Sequence, residues 1–142
     1  MSCVLTIGGK KFDADAFVNK TKLKPYRVRY KGEPIHANKP KGKKQLFSSI
    51  SIDVSEASFD DFIQQVNDAI LFLKKNKLKL THILSTKEIE FANLDFGITS
   101  RLADNKIAVQ VDTFPKELLT LAGNAGINII LSNYSNELFS NK

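Results

Sequence analysis

In a chain of 142 residues with two imidazoles and one thiol, His36, His82 and Cys3 are the first places to look for side-chain chemistry. His36 stands beside Glu33 in a stretch rich in Lys, Gly and Pro, and His82 lies inside the apolar run from Leu78 to Leu84. No second His or Cys lies at the spacing of a tetrahedral zinc site, so no metal is expected. Cys3 belongs to the run Cys3, Val4, Leu5, Ile7, where a thiol behaves as a small inert hydrophobe. A serine nucleophile would need a strand-turn-helix elbow of the Gly-x-Ser-x-Gly type, which the chain lacks. Gly8-Gly9 is followed by Lys10, Lys11 and Phe12, not by the spaced glycines that cradle a phosphate. Asp95 and Asp112, with Arg101 between them, could form a carboxylate pair for acid-base work. A structural ion pair and a helix-capping Asp112 account for the same residues without catalysis. The expectation is a protein that is not an enzyme and uses no cofactor.

What the chain does concentrate is positive charge. Residues 1–45 carry twelve basic and three acidic residues, a balance of +9, whereas residues 46–142 carry nine basic and twelve acidic residues, a balance of −3. Such asymmetry points to an anionic partner. Tyr26-Arg27-Val28-Arg29-Tyr30-Lys31 alternates with the period of a strand, so Arg27, Arg29 and Lys31 share one face and the two tyrosines the other. From Gly32 to Gln45 the chain reads as a long exposed basic loop, with Lys39, Lys41, Lys43 and Lys44 around Pro40 and Gly42. These seven cations are the candidate partner-binding residues.

The elements that must position them form one α+β domain over residues 1–142, with a basic loop at 32–45 and a polar tail at 135–142. Ten Phe among thirteen aromatics supply core material without a staple. Cys3 to Ile7, Tyr26 to Lys31 and Leu46 to Val54 read as strands, and Asp13 caps a short helix ending near Lys20. Phe59, Phe62, Ile63, Val66, Ile70 and Leu73 recur at helical spacing from Ser58 to about Lys75, the longest expected helix. Leu78 to Leu84, Ile89 to Ile98 and Lys106 to Val111 read as strands, the last two joined as a hairpin at Asp104-Asn105. Phe114-Pro115 opens a third helix with Leu118, Leu119, Leu121 and Ala122 as its apolar side, and Gly123 or Gly126 ends it. Ile127 to Leu131 is a final strand, and in the polar stretch beyond it Tyr134, Leu138 and Phe139 are the residues able to dock. The expected fold is a mixed, largely antiparallel sheet of six or seven strands with three helices, a ferredoxin-like arrangement with extra strands. No charged leader with an apolar stretch and no run long enough to span a bilayer is present, so a cytoplasmic protein without membrane contact is expected.

Phe114 to Leu119, Leu121-Ala122-Gly123, Gly126-Ile127 and Leu131 to Tyr134, with Leu94 to Ile98 and Pro25 to Glu33, carry a resemblance. Together they resemble a bacterial family of small α+β proteins classed as a domain of unknown function. Families of this kind include proteins proposed to neutralise a toxin secreted by the same cell. The resemblance implies an immunity role by direct protein-protein binding to a toxin domain, and it implies no catalytic residue. The cationic third departs from the acidic character of immunity proteins that cap nucleases, so it implies a toxin with an acidic surface or an interface elsewhere on the chain. The alternative is a nucleic-acid-binding module using the basic N-terminal third, whose affinity would fall steeply with salt.

Overall fold

The computed structural model describes residues 1–102 and 106–135. Chain order is β1 (Cys3–Gly9), α1 (Ala14–Thr21), β2 (Arg27–Arg29), β3 (Ser48–Ser55), α2 (Phe62–Lys75), α3 (Lys77–Ser85), β4 (Phe91–Thr99), α4 (Lys116–Asn124) and β5 (Asn128–Tyr134). The sheet runs β2-β3-β1-β4-β5, antiparallel at every pair except the parallel β4 and β5. Two β-α-β units are thereby interleaved. β1 and β2 flank β3, while β3 and β4 flank β1, so β1 is bonded on both sides.

The period-2 alternation of the strands divides the sheet into two unlike faces. Leu5 and Ile7 of β1, Ile50 and Ile52 of β3, and Leu94, Phe96 and Ile98 of β4 are buried against the helices. The opposite face carries Thr6, Ser49, Ser51, Asp53, Asn93, Asp95 and Ser132, tied by a Thr6–Ser51 hydroxyl contact of 3.3 Å and by Ser132 donating to Asp95 at 2.7 Å. Glycines on this polar face admit aromatic rings. A β-carbon on Gly8 would lie 2.6 Å from Phe91, and one on Gly97 would lie 2.6 Å from Phe59. Phe91 in turn meets Phe47 edge-on with ring centres 5.4 Å apart, and Phe59 meets Tyr134 at 5.6 Å.

Helix starts follow side-chain capping. Asp13 accepts from the amide of Ala16 at 3.0 Å, as expected, and α2 begins four residues later than Ser58 predicts because Asp61 is its cap, accepting from Gln64 at 3.0 Å. Phe59 therefore precedes the helix instead of belonging to it. Gly126, with φ of 74°, rather than Gly123, turns the chain after α4, and the amide of Ile127 reaches back to Ala122. The buried stripe of α2 is Phe62, Gln65, Val66, Ala69 and Leu73, with Ile70 half-buried. Ile63 is 75% exposed, contrary to expectation, because it sits one residue off that stripe.

Among the described residues there are five strands and four helices, where six or seven strands and three helices are expected. Leu78 to Leu84 belongs to α3, not to a strand. Leu80 and Ile83, one helical turn apart, are its buried residues, and Leu84 is 68% exposed. Alternation would have buried Leu80 and Leu84 together, but a three-residue spacing suits a helix. Lys106 to Val111 forms no strand, since β1 and β5 occupy both sides of β4 and leave no ladder for the expected hairpin. Asp104 and Asn105 lie outside the described residues, as do Leu138 and Phe139. The final strand runs from Asn128 to Tyr134, three residues beyond its expected end at Leu131. No helix among the described residues is long and apolar enough to cross a membrane.

Candidate functional site

β2 is a three-residue edge strand, and its partner β3 fixes how its side chains point. Val28 faces Ile50 and packs on the core, which leaves Arg27 and Arg29, opposite Ser51 and Ser49, on the polar face. The alternation read from the sequence holds for these three residues, whereas Tyr26, Tyr30 and Lys31, expected in the same strand, lie outside it. Arg29 is half-buried and donates to the hydroxyl of Ser51 at 3.3 Å, so a chain of polar contacts runs from β2 through β3 to Thr6 on β1. Arg27 is exposed. Tyr30, just past the strand, donates to Asp15 on α1 at 2.7 Å, and that bond raises its phenol pKa above the ordinary value.

The basic loop is a bonded arm. Gly32 donates to Gln45, Gln45 to Glu33 and Ile35 to Lys43 at 2.7–2.9 Å, and Pro34 pairs with Lys44 as an antiparallel bridge. Two tight turns, Lys39 to His36 and Gly42 to Lys39, close its tip. Between this arm and β2 lies an open concavity of about 760 Å³ lined by Arg27, Arg29, Glu33, Ile35, His36 and Gln45, among others. It brings together two of the seven predicted cations. Lys31, Lys39, Lys41, Lys43 and Lys44 do not line it and lie exposed beside it and on the arm.

Ion pairs among the described residues are Met1 with Glu56, Lys74 with Glu117 and Arg101 with Asp112. None of the seven cations takes part. Tyr26, Ile35 and Leu46, which are 44%, 45% and 70% exposed, stand close by in sequence. Composition alone does not mark Ile35, since an isolated apolar residue in a basic loop carries no period, and Leu46, expected to open a strand, precedes β3 instead.

The other chemical candidates are structural in their geometry. His82 lies half-buried on α3. Asp95 accepts from Ser132, whereas Asp112 pairs with Arg101 at 3.1 Å and accepts from Gln110 at 3.2 Å. The expected ion pair is present, but α4 is not capped by Asp112; Pro115 stands at its N-cap. Burial, then the charges of Asp95, Asp53 and Asp68, push the Cys3 thiol well above its ordinary range. One feature that the sequence does not suggest is Asp53. Burial, then Glu56 beside it, pushes its carboxyl up to about 6, and its Oδ1 is buried without a hydrogen-bond partner. Glu56 is lowered by Asp53 and by the Met1 ammonium. Among the described residues no cluster of three or more His, Cys, Asp or Glu is placed to hold a metal.

No protein-family model, curated protein or solved structure matches the chain. The edge formed by β2 and the arm is accordingly characterised by its own composition: guanidinium and ammonium groups outside the ion pairs of the described residues, with exposed Tyr, Ile and Leu close by in sequence.

Proposed function

We propose that the chain is a non-enzymatic binding protein whose β2 edge and basic arm dock an acidic surface of a protein partner. The observation that carries this reading is the mixture at that edge. Tyr and Arg, with apolar residues between them, are the side chains that dominate the energy of protein interfaces, and unpaired cations steer an acidic partner to them. Neutralisation of a toxin by one-to-one binding is the particular form of this role that the resemblance suggests. A ferredoxin-like core extended by α4 and β5 is the fold assignment we favour, supported by the interleaved β-α-β units. A cytoplasmic location is consistent with the single buried thiol.

Nucleic acid is the second reading, favoured by seven cations that join no ion pair among the described residues and by the Lys-Pro-Lys-Gly-Lys-Lys tip. Against it, the centre of the polar face presents Thr6, Ser49 and Ser51 where sheets that stack single-stranded bases present aromatics. The deciding experiment mixes the purified chain with duplex and single-stranded nucleic acid at low and high salt and, if a secreted protein is encoded immediately upstream, with the C-terminal domain of that protein under the same conditions. A protein complex that persists in high salt and is lost in the R27A/R29A variant supports the first reading. Retention on nucleic acid that collapses as salt rises, and is abolished by replacing Lys39, Lys41, Lys43 and Lys44 with Ala, would establish the second.

A further inference from the structure

β2 ends the sheet, with β3 as its one strand neighbour among the described residues. Its outer side borders the concavity that the arm bounds opposite: Arg27, Val28 and Arg29 line it from the strand, and Glu33, Ile35 and His36 from the arm. A strand edge with open space beside it presents backbone N–H and C=O groups to whatever enters. A strand takes up about 4.8 Å by 10 Å in section and rises about 3.3 Å per residue, so it needs about 160 Å³ per residue. The concavity, about 760 Å³, therefore has room for about four or five residues alongside the three of β2.

The side chains of β2 set what such a strand must carry. Arg27 and Arg29 lie on the polar face two residues apart, with Val28 between them turned to the core. In an added strand the side chains opposite the two arginines fall on that same face at positions i and i+2, and the one between them falls beside Val28. Carboxylates answer the guanidinium groups, and an aliphatic side chain answers Val28. Ile35, 45% exposed, adds an apolar contact from the arm. Glu33 is the one carboxylate among the residues lining the concavity, so the two arginines outnumber it. Short, charged edges discourage strand addition in general. Here the charge makes the edge selective, rejecting basic strands and admitting an acidic one.

We propose that the acidic partner is received by strand addition, with an extended acidic-aliphatic-acidic segment pairing with β2 inside the concavity. This rests on the reading of the edge as a dock for an acidic protein surface, and adds to it a backbone ladder and a two-residue spacing of carboxylates.

The probe is a fluorescein-labelled peptide, Thr-Val-Glu-Val-Glu-Val-Thr, titrated with the full chain at low ionic strength and followed by anisotropy. It is expected to bind, whereas the same peptide with Lys in place of both Glu is not. Placing the two Glu side by side should weaken binding about tenfold, as should R27A/R29A, whose folding circular dichroism verifies. Glu33→Gln should tighten it. Methylating the backbone nitrogens of the Glu residues in one peptide, and of the Val residues in another, blocks opposite edges of the strand without changing its charge, so one of the two should bind and the other should not. Nuclear Overhauser contacts between the α-protons of the parent peptide and those of Arg27, Val28 and Arg29 are the readout that needs no variant. Absence of those contacts, or equal binding of the two methylated peptides, would overturn strand addition while leaving a dock steered by charge alone. A Lys peptide that binds as well as the Glu peptide would overturn both strand addition and the acidic-partner reading beneath it.

Discussion

Gln65, wholly buried on α2, donates its side-chain amide to the carbonyl of Gly97 on β4 at 2.8 Å and to that of Ser58 at 3.2 Å. The longest helix is thus tied to the sheet by a polar group within an otherwise apolar layer. Gln65→Leu should cost about 1–3 kcal/mol, the usual penalty for leaving buried groups unmet. Gln65→Glu should cost more at neutral pH, since a buried carboxylate would face two carbonyl oxygens. Urea unfolding of both variants checks the order; equal losses would remove the hydrogen bonds as the cause.

Phe59 lies over Gly97, and an added β-carbon would also come within 3.2 Å of the Ser2 carbonyl. Gly97→Ala should therefore destabilise by about 1–3 kcal/mol through overpacking. Adding Phe59→Ala removes the aromatic collision, so the double variant should be more stable than the sum of the single losses implies, which a double-mutant cycle measures.

Two β-branched aliphatic positions on α2 should respond in opposite ways. Val66 is 6% exposed, and Val66→Asp should cost more than about 4 kcal/mol by burying an unpaired charge. Ile63, on the outer side, should accept Gln with a change within about 0.5 kcal/mol. Thermal melts of the two variants compare them directly.

Asp53 makes stability depend on pH in an unusual direction. Its folded pKa, about 6, lies above the ordinary carboxylate value of 3.8, so between these values the folded state holds more protons than the unfolded one. Stability attributable to this group is full below about pH 4 and declines as pH rises through 6. The lowered pKa of Glu56 acts in the opposite sense, adding stability at neutral pH that is lost on acidification. Asp53→Asn should consequently gain stability relative to wild type at pH 7 and not at pH 4, by less than about 1 kcal/mol given solvent screening. Denaturant midpoints at the two pH values test this, and an equal shift at both would exclude the titration.

Much of this architecture is legible in the residues. Asp13, the alternation of Arg27, Val28 and Arg29, the apolar period of α2 and the glycine after α4 each have a local physical cause that acts where it is read. What cannot be read depends on distant neighbours. Leu78 to Leu84 is an apolar run too short to distinguish two periods, and its helix is decided by what Leu80 and Ile83 pack against. Lys106 to Val111 has strand-forming residues but no free ladder, because β5 arrives from later in the chain to occupy the edge. At the site, Arg27 and Arg29 are identified by their shared face. The ordering of the arm, and the concavity it makes with them, rests on backbone bonds that its composition does not announce.

The central place of β1 also bears on how the chain comes into being. β1 is made before both of its partners and cannot complete its ladder until they follow: Leu5 is bonded between Ile52 and Leu94, both of which come later in the chain. Cys3, Leu5 and Ile7 would meanwhile lie beside one neighbour or none. Such dependence on remote pairing slows folding and prolongs the exposure of apolar strands. Slowing translation before residue 91 should therefore increase aggregation of the chain, whereas slowing it after β5 should not.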